Sequence, residues 1–92
     1  MPVTVQIPAA LRPFARDRSE VAAAGATVRE VVADLVRRHP GMEARLLDDA
    51  GSVRRHLSLF LNDQDVRLLG ELDAAVRDGD RLTLVAAIAG GR

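Results

Sequence analysis

A single amphipathic helix is the feature that most constrains the fold of this chain. Thr27 followed by Glu30 is typical of a capping box, in which the Thr hydroxyl accepts from the amide three residues on and Glu30 reaches back. Pro40-Gly41 ends the helix after a basic stretch that suits a helix C-terminus. Between these limits, apolar residues recur at i, i+3, i+4, i+7 and i+8 and form one stripe: Val28, Val31, Val32, Leu35 and Val36.

Short alternating segments supply the surface that would cover this stripe. Alternation over residues 3–7 predicts a first strand, and a weaker strand over 20–23 completes a hairpin after a loop opened by Pro8 and Pro13. After the helix, a second short helix is predicted over 42–47, a strand over 55–61, a turn over 62–65 and a last strand over 82–85. The first and last strands can lie side by side in a mixed sheet, with the helix across one face. We therefore predict an α+β fold, a single β-grasp domain over 1–85 with a flexible tail over 86–92.

Composition excludes several functions. A chain of 92 residues holds one small domain, and its 13 basic residues balance its 13 acidic ones, which disfavours nucleic acid and anionic membranes as partners. Phe14 and Phe60 are the aromatic residues, too few for a base-stacking platform. The absence of cysteine removes disulfides and cysteine-based metal sites. With no signal-peptide pattern and no long apolar run, we expect a soluble, cytoplasmic protein.

Catalytic residues are scarce. His39 and His56 are the two histidines, and they are not spaced as metal ligands. The pairs Asp63 with Asp65 and Asp78 with Asp80 lie in turns, where Asp is expected because it caps its own backbone. We expect neither a metal site nor an enzyme.

The C-terminal Gly90-Gly91 pair is harder to explain structurally. Glycines there lose backbone entropy and bury nothing. Fraying of a terminus is the alternative explanation. From Leu61 onward the residues resemble the prokaryotic ubiquitin-like sulfur carriers, in the pattern Asn62-Asp63-x-Asp65-Val66-Arg67 and in the Ala-Gly-Gly tail. The family includes the small subunit of molybdopterin synthase and the carrier of the thiamin pathway, and the resemblance is closest to the actinobacterial carrier of cysteine synthesis.

The resemblance implies a chemistry for Gly91. An activating enzyme would use ATP and magnesium to adenylate the Gly91 carboxylate, and sulfur would then displace AMP to give a thiocarboxylate. A pyridoxal-phosphate-dependent sulfhydrylase would accept the sulfur, and the carrier itself would bind no cofactor. Ala89 and Gly90 would belong to the narrow end of the tail. Residues 86–91 can extend roughly 20 Å at ~3.3 Å per residue, which suits delivery into a partner.

Partners of this family bind the exposed sheet face near the tail. On this chain that face would carry Phe60, Thr83 and Val85, with Ile88 at the root of the tail, whereas alternate leucines would face inward. A surface Phe packed on the Arg67 stem is the alternative. The basic residues are all arginine, which either reflects codon bias or spares the activated tail a lysine amine to acylate.

Arg92 departs from the family pattern. While Arg92 follows Gly91, the Gly91 carbonyl is held in an amide, so we predict a precursor that a peptidase, in some relatives zinc-dependent, cleaves after Gly91. The alternative is that Arg92 is not native. Other acceptors (molybdopterin or thiazole), a ubiquitin-like protein modifier and a plain interaction module with an inert tail also stay open.

Overall fold

The helix expected from the capping box is α1, Val28–Arg38, in a computed structural model that describes residues 2–86. Thr27 Oγ1 accepts from the Glu30 amide at 3.2 Å, as predicted. Glu30 Oε1 accepts from the Ala26 amide at 2.9 Å, one residue before the cap, so the reciprocal bond is shifted by one position. The predicted stripe is buried at Val28, Val31, Val32 and Leu35 and half-buried at Val36.

Five strands form one mixed sheet. They are β1 Val3–Gln6, β2 Glu20–Ala23, β3 Leu57–Leu61, β4 Gln64–Asp65 and β5 Arg81–Ala86, in the spatial order β2-β1-β5-β3-β4. β1 and β5 run parallel, whereas β1–β2, β3–β5 and β3–β4 are antiparallel. The first and last strands therefore lie side by side at the centre, as predicted.

One face of this sheet forms the core with α1. Alternate residues of β1, β3 and β5 point towards the helix and are at most 7 % exposed, namely Val3, Val5, Leu57, Leu59, Leu61, Leu82 and Leu84. No polar or charged side chain is buried among residues 2–86. The other face of the sheet, the outer face, is left uncovered by the described residues and carries the remaining members of each alternation, which are mostly polar but include Phe60 and Val85.

Short helices replace several predicted loops. Residues Ala9–Ala15 form a 3₁₀ helix rather than the predicted loop, because Leu11 and Ala15 are buried in the core and the turn brings them there. The second helix is divided into a 3₁₀ turn, Pro40–Met42, and α2, Glu43–Leu46. Two more 3₁₀ turns, Val66–Leu68 and Glu71–Asp73, connect β4 to β5.

Several strand limits differ from the prediction, since β1 ends at Gln6 rather than at 7 and β5 starts at Arg81 rather than at 82. β3 starts at Leu57 rather than at 55, and β5 includes Ala86, which pairs with Leu57. The turn predicted over 62–65 is tighter, since Gln64 and Asp65 pair with β3 as the short strand β4. No helix within residues 2–86 is long and apolar enough to cross a membrane.

Candidate functional site

The end of β5 positions the root of the predicted tail. Ala86, the last described residue, is half-buried and lies opposite Leu57 of β3. β5 has neighbours on both sides, β1 and β3, so its direction is fixed by two ladders. The predicted tail residues Ile88, Ala89, Gly90, Gly91 and Arg92 lie outside the described residues.

An apolar patch lies on the outer face beside this end of β5. Phe60 lies directly opposite Thr83, and Val85 lies opposite Ser58. Val85 is 42 % exposed, and Phe60 and Thr83 are half-buried. We call Phe60, Thr83 and Val85 the outer-face patch. The structure thus brings the three residues together on the face that the alternation predicts, and their role in binding stays a prediction.

A polar network continues from the patch across the sheet. Thr83 Oγ1 donates to Gln6 Oε1 at 3.1 Å, and Gln6 Nε2 donates to Glu20 Oε2 at 3.4 Å. Arg81 Nη1 also donates to Glu20 Oε2, at 2.8 Å, and this bond is the main cause of a lowered pKa of Glu20. Sequence reasoning missed this network because the register of β1 against β5 is needed to see that these side chains meet.

The Asn62-Asp63-x-Asp65-Val66-Arg67 pattern has a structural role beside the patch. Asn62, at φ 55°, accepts from the Arg81 amide through Oδ1 at 3.1 Å and so ties the β3–β4 turn to the start of β5. Asp65 lies opposite Phe60, accepts from the Arg67 amide at 2.9 Å and pairs with the Arg67 guanidinium at 2.6 Å. The Arg67 hydrogen bonds lower the pKa of Asp65, and the same pair raises the pKa of Arg67.

The sequence profile of the ThiS family matches residues 5–91, nearly the whole chain, including the Gly90-Gly91 pair. The chain belongs to the ThiS family. The resemblance seen in the sequence is thereby confirmed.

Three relatives of this ThiS-family chain are informative. The sulfur carrier protein CysO of Mycobacterium tuberculosis is 41% identical over 93 residues, covering 99% of this chain and 100% of that protein. A chain in the crystal structure of the Amycolatopsis orientalis BexX/CysO complex is 45% identical with a TM-score of 0.89, covering 97% of this chain and 99% of that one. Small archaeal modifier protein 3 of Haloferax volcanii is 33% identical over 66 residues, covering 72% of this chain and 71% of that protein. The predicted β-grasp fold and the predicted class, sulfur carrier, are both confirmed.

Two carboxylates of this ThiS-family domain, Asp80 and Asp65, are held in structural hydrogen bonds within turns. Asp80 Oδ2 accepts from the Arg77 amide at 2.9 Å, and Asp65 caps the 3₁₀ turn that follows it. No group of three or more His, Cys, Asp or Glu residues within 2–86 is arranged to hold a metal.

Proposed function

We propose that this chain is a sulfur carrier for cysteine biosynthesis, and that it acts through the carboxylate of Gly91 once Arg92 has been removed. The observation that carries the proposal is the 41% identity to CysO over 99% of this chain and 100% of that protein. The match of the family profile extends to residue 91 and so includes both glycines, which supports the tail as the reactive segment.

The proposed chemistry converts a poor electrophile into a good one. An oxygen of the Gly91 carboxylate attacks the α-phosphorus of ATP, pyrophosphate leaves, and a mixed anhydride with AMP is formed. A sulfide sulfur then attacks the carbonyl carbon and expels AMP, which leaves a thiocarboxylate. The activating enzyme, in the cytoplasm, binds ATP and magnesium, so the carrier is a co-substrate rather than an enzyme. The sulfur nucleophile does not come from the carrier, which contains no cysteine.

Glycine suits the end of the tail because a β-carbon would widen a segment that has to enter a narrow channel. β5 provides a rigid base for this segment, since Val85 and Ala86 are still paired with Ser58 and Leu57 of β3. From that base, residues 87–91 would reach roughly 16 Å when extended at ~3.3 Å per residue. In this proposal, the tail thus starts from a residue paired in the sheet and ends in glycines that can enter a narrow channel.

The outer-face patch is our candidate for the surface that partners recognise. Any enzyme that takes up the tail must approach the end of β5, and Val85 is exposed there within the same patch as Phe60 and Thr83. Exposed apolar and aromatic side chains at the centre of an interface contribute more than their number suggests. Ile88 would extend the patch towards the tail.

Three partners follow from this proposal. An adenylating sulfurtransferase activates Gly91, and a pyridoxal-phosphate-dependent sulfhydrylase receives the sulfur. A peptidase, zinc-dependent in our proposal, removes Arg92, because an amide at Gly91 has no free carboxylate to adenylate.

The decisive experiment compares two forms of the chain. A form that ends at Gly91 is incubated with ATP, magnesium, the activating enzyme and sulfide, and its intact mass should increase by the exchange of one oxygen for sulfur. The form that retains Arg92 is the matched control and should keep its mass until the peptidase is added. An unchanged mass of the Gly91-ending form would refute the proposal. With the sulfhydrylase and its amino-acid substrate, the thiocarboxylate sulfur should bond to the amino-acid carbon as the substrate's leaving group departs. Hydrolysis of the remaining bond to the Gly91 carbonyl should then restore the original mass and release cysteine, which distinguishes cysteine synthesis from molybdopterin or thiazole as the destination.

The relationship to small archaeal modifier protein 3 supports a second function, attachment of Gly91 to lysine amines of other proteins. The two functions share the adenylation step and differ in the nucleophile, sulfide or an amine. Isolation of the tagged chain from its host under denaturing conditions separates them, since a modifier gives covalent conjugates with new isopeptide bonds and a carrier gives none.

A further inference from the structure

β2 forms one edge of the sheet, and a basic cleft runs along it. The cleft is lined by the outer-face residues Thr4, Glu20 and Ala22, by Val21, by Arg16 and Arg18 of the preceding loop, and by Arg38 and His39 at the end of α1. It lies across β1 from β5, and none of the outer-face patch lines it. Nothing in the sulfur-carrier chemistry uses this edge.

The hydrogen bonds of β1 establish which way the backbone of β2 points. The Ile7 amide donates to the Ser19 carbonyl at 2.8 Å, whereas the Thr4 amide donates to Asp80, next to β5, at 3.0 Å. Odd residues of β1 therefore bond to β2 and even residues to β5. Because bonded and non-bonded pairs alternate in an antiparallel ladder, Glu20 and Ala22, opposite Gln6 and Thr4, direct their amide and carbonyl groups away from β1.

Charge around this open edge is strongly positive. Arg16 and Arg18 are exposed, and in the part of the chain that the structure describes neither makes an ion pair. Arg38 adds a third guanidinium from the helix side. The one acidic side chain lining the cleft, Glu20, is paired with Arg81. An acidic ligand would therefore meet the uncompensated charges of Arg16 and Arg18 on this edge, beside the Arg38 guanidinium, which is paired with Asp34.

The chain itself shows which chemistry fits the edge. Immediately after β2, the amide of Ala24 donates to Asp34 Oδ2 at 2.9 Å, and Arg38 Nε bonds the same oxygen at 2.8 Å. Arg37 binds the other oxygen of this carboxylate. The Ala24 hydrogen bond is the main cause of the lowered pKa of Asp34. The Asp34 carboxylate is thus already bound by the Ala24 amide and by arginines, two residues beyond Ala22.

We propose that the open edge of β2 docks an extended acidic segment of a partner protein by strand addition, with its carboxylates against Arg16, Arg18 and Arg38. The outward amides of Glu20 and Ala22 are two residues apart, which is about 7 Å at ~3.3 Å per residue. This spacing matches the two-residue repeat of an added strand, whereas one small anion could not reach both amides. A second copy of this chain is disfavoured as the occupant, because it would bring its own arginines to the same edge.

The test is a titration of the isotopically labelled full chain with a synthetic hexapeptide of alternating Glu and Val, followed by amide NMR. We expect saturable shifts and slowed hydrogen exchange at the Glu20 and Ala22 amides. The same peptide with Lys in place of Glu should not bind. Arg18→Glu should weaken binding by at least about tenfold, whereas Arg77→Glu, an equal charge change at an exposed position outside the cleft, should stay within about twofold.

A second pair of variants tests the backbone contact. Ala22→Pro removes the outward amide while leaving the β1–β2 ladder bonds in place, and it should abolish binding. Ala22→Val keeps the amide and should bind like the parent chain. The proposal is overturned if Ala22→Pro binds normally, if no saturable binding occurs at millimolar peptide, or if inorganic phosphate reproduces the shifts and the slowed exchange. It is equally overturned if sedimentation shows that this edge pairs with a second copy.

Discussion

Phe60 of β3 lies directly opposite Thr83 of β5 on the outer face of the sheet, and Thr83 donates a hydrogen bond to Gln6 of β1. The Thr83 side chain next to Phe60 is therefore held by the polar network of the outer face. Phe60 itself is half-buried and is neither a member of the buried core nor one of the partly buried side chains packed against it. The ring thus lies on the outer face and is not part of the core.

We expect Phe60→Ala to weaken binding to the activating enzyme by at least about tenfold, as for a central interface aromatic, and to leave the melting temperature nearly unchanged. Phe14→Ala is the contrasting variant, because Phe14 packs against the core and lies 4.3 Å under the Arg45 guanidinium. Its truncation should lower the melting temperature clearly. Calorimetry of binding and thermal unfolding measures both, and a large loss of stability in Phe60→Ala would assign the ring to packing instead.

Gly25→Ala should destabilise the fold by about 1–3 kcal/mol through overpacking. An added β-carbon at Gly25 would lie 2.7 Å from Glu30 Cβ and 2.7 Å from the Val31 amide nitrogen, so β2 and the start of α1 would have to separate. Gly41→Ala is the matched control, since its β-carbon would make an ordinary contact at 3.5 Å with Phe14. Urea unfolding of both variants checks this, and equal stabilities would contradict the packing argument.

The spacing of apolar residues was enough to predict the helix and the strands that each turn one apolar face towards the core. The stripe of α1 and the inward leucines of β3 are visible in the sequence because burial imposes periods of 3.6 and 2. The same pattern placed Phe60 and Thr83 on the outer face. The adjacency of β1 and β5 was predictable as well, since these two strands cover one helix together.

Contacts between distant residues could not be predicted in this way. The Glu20–Arg81 pair joins residues 61 positions apart and depends on the register of three strands. The close approach of Gly25 to α1 cannot be predicted from the hydropathy pattern. A glycine before a helix is common for other reasons, so its presence alone does not indicate tight packing. Pro8 and Pro13 predict a loop over the segment that forms the 3₁₀ helix Ala9–Ala15, because prolines outweigh the apolar spacing of Leu11 and Ala15 in the sequence pattern.

The stability of the chain should decrease on acidification through His39. Burial of the imidazole is the main cause of its lowered pKa, and Arg16, Arg38 and Arg18 lower it further. The unfolded chain therefore binds this proton more readily than the folded chain. The His39 contribution to stability is fully present above the unfolded value of about 6.5 and is lost as the pH falls through the lower folded value.

His39→Gln should flatten this part of the pH profile. Melting temperatures between about pH 7.5 and 5 should fall less in His39→Gln than in the parent chain, because glutamine does not titrate. Identical profiles for the parent and His39→Gln would show that other groups carry the acid sensitivity.

Asn62 combines a left-handed backbone with two side-chain hydrogen bonds, and the two contributions can be measured separately. Its φ is 55°, Oδ1 accepts from the Arg81 amide at 3.1 Å, and Nδ2 donates to Asp80 Oδ1 at 3.3 Å. Asn62→Gly keeps the backbone conformation and loses both bonds, so we expect a loss of about 1 kcal/mol in the free energy of unfolding. Asn62→Ala loses the bonds and adds the strain of a β-carbon in the left-handed region, which should cost about 1 kcal/mol more.

The Asn62 variants should also affect the site, because the Asn62 bond to Arg81 fixes the start of the strand that leads to the tail. Asp63→Ala, at the exposed neighbouring position of the same turn, should stay within about 0.5 kcal/mol of the parent chain. Urea unfolding gives the three free energies, and hydrogen exchange at the Arg81 amide reports on the bond directly. If Asn62→Gly matches the parent chain in both measurements, the side-chain bonds contribute nothing and the residue serves the turn conformation alone.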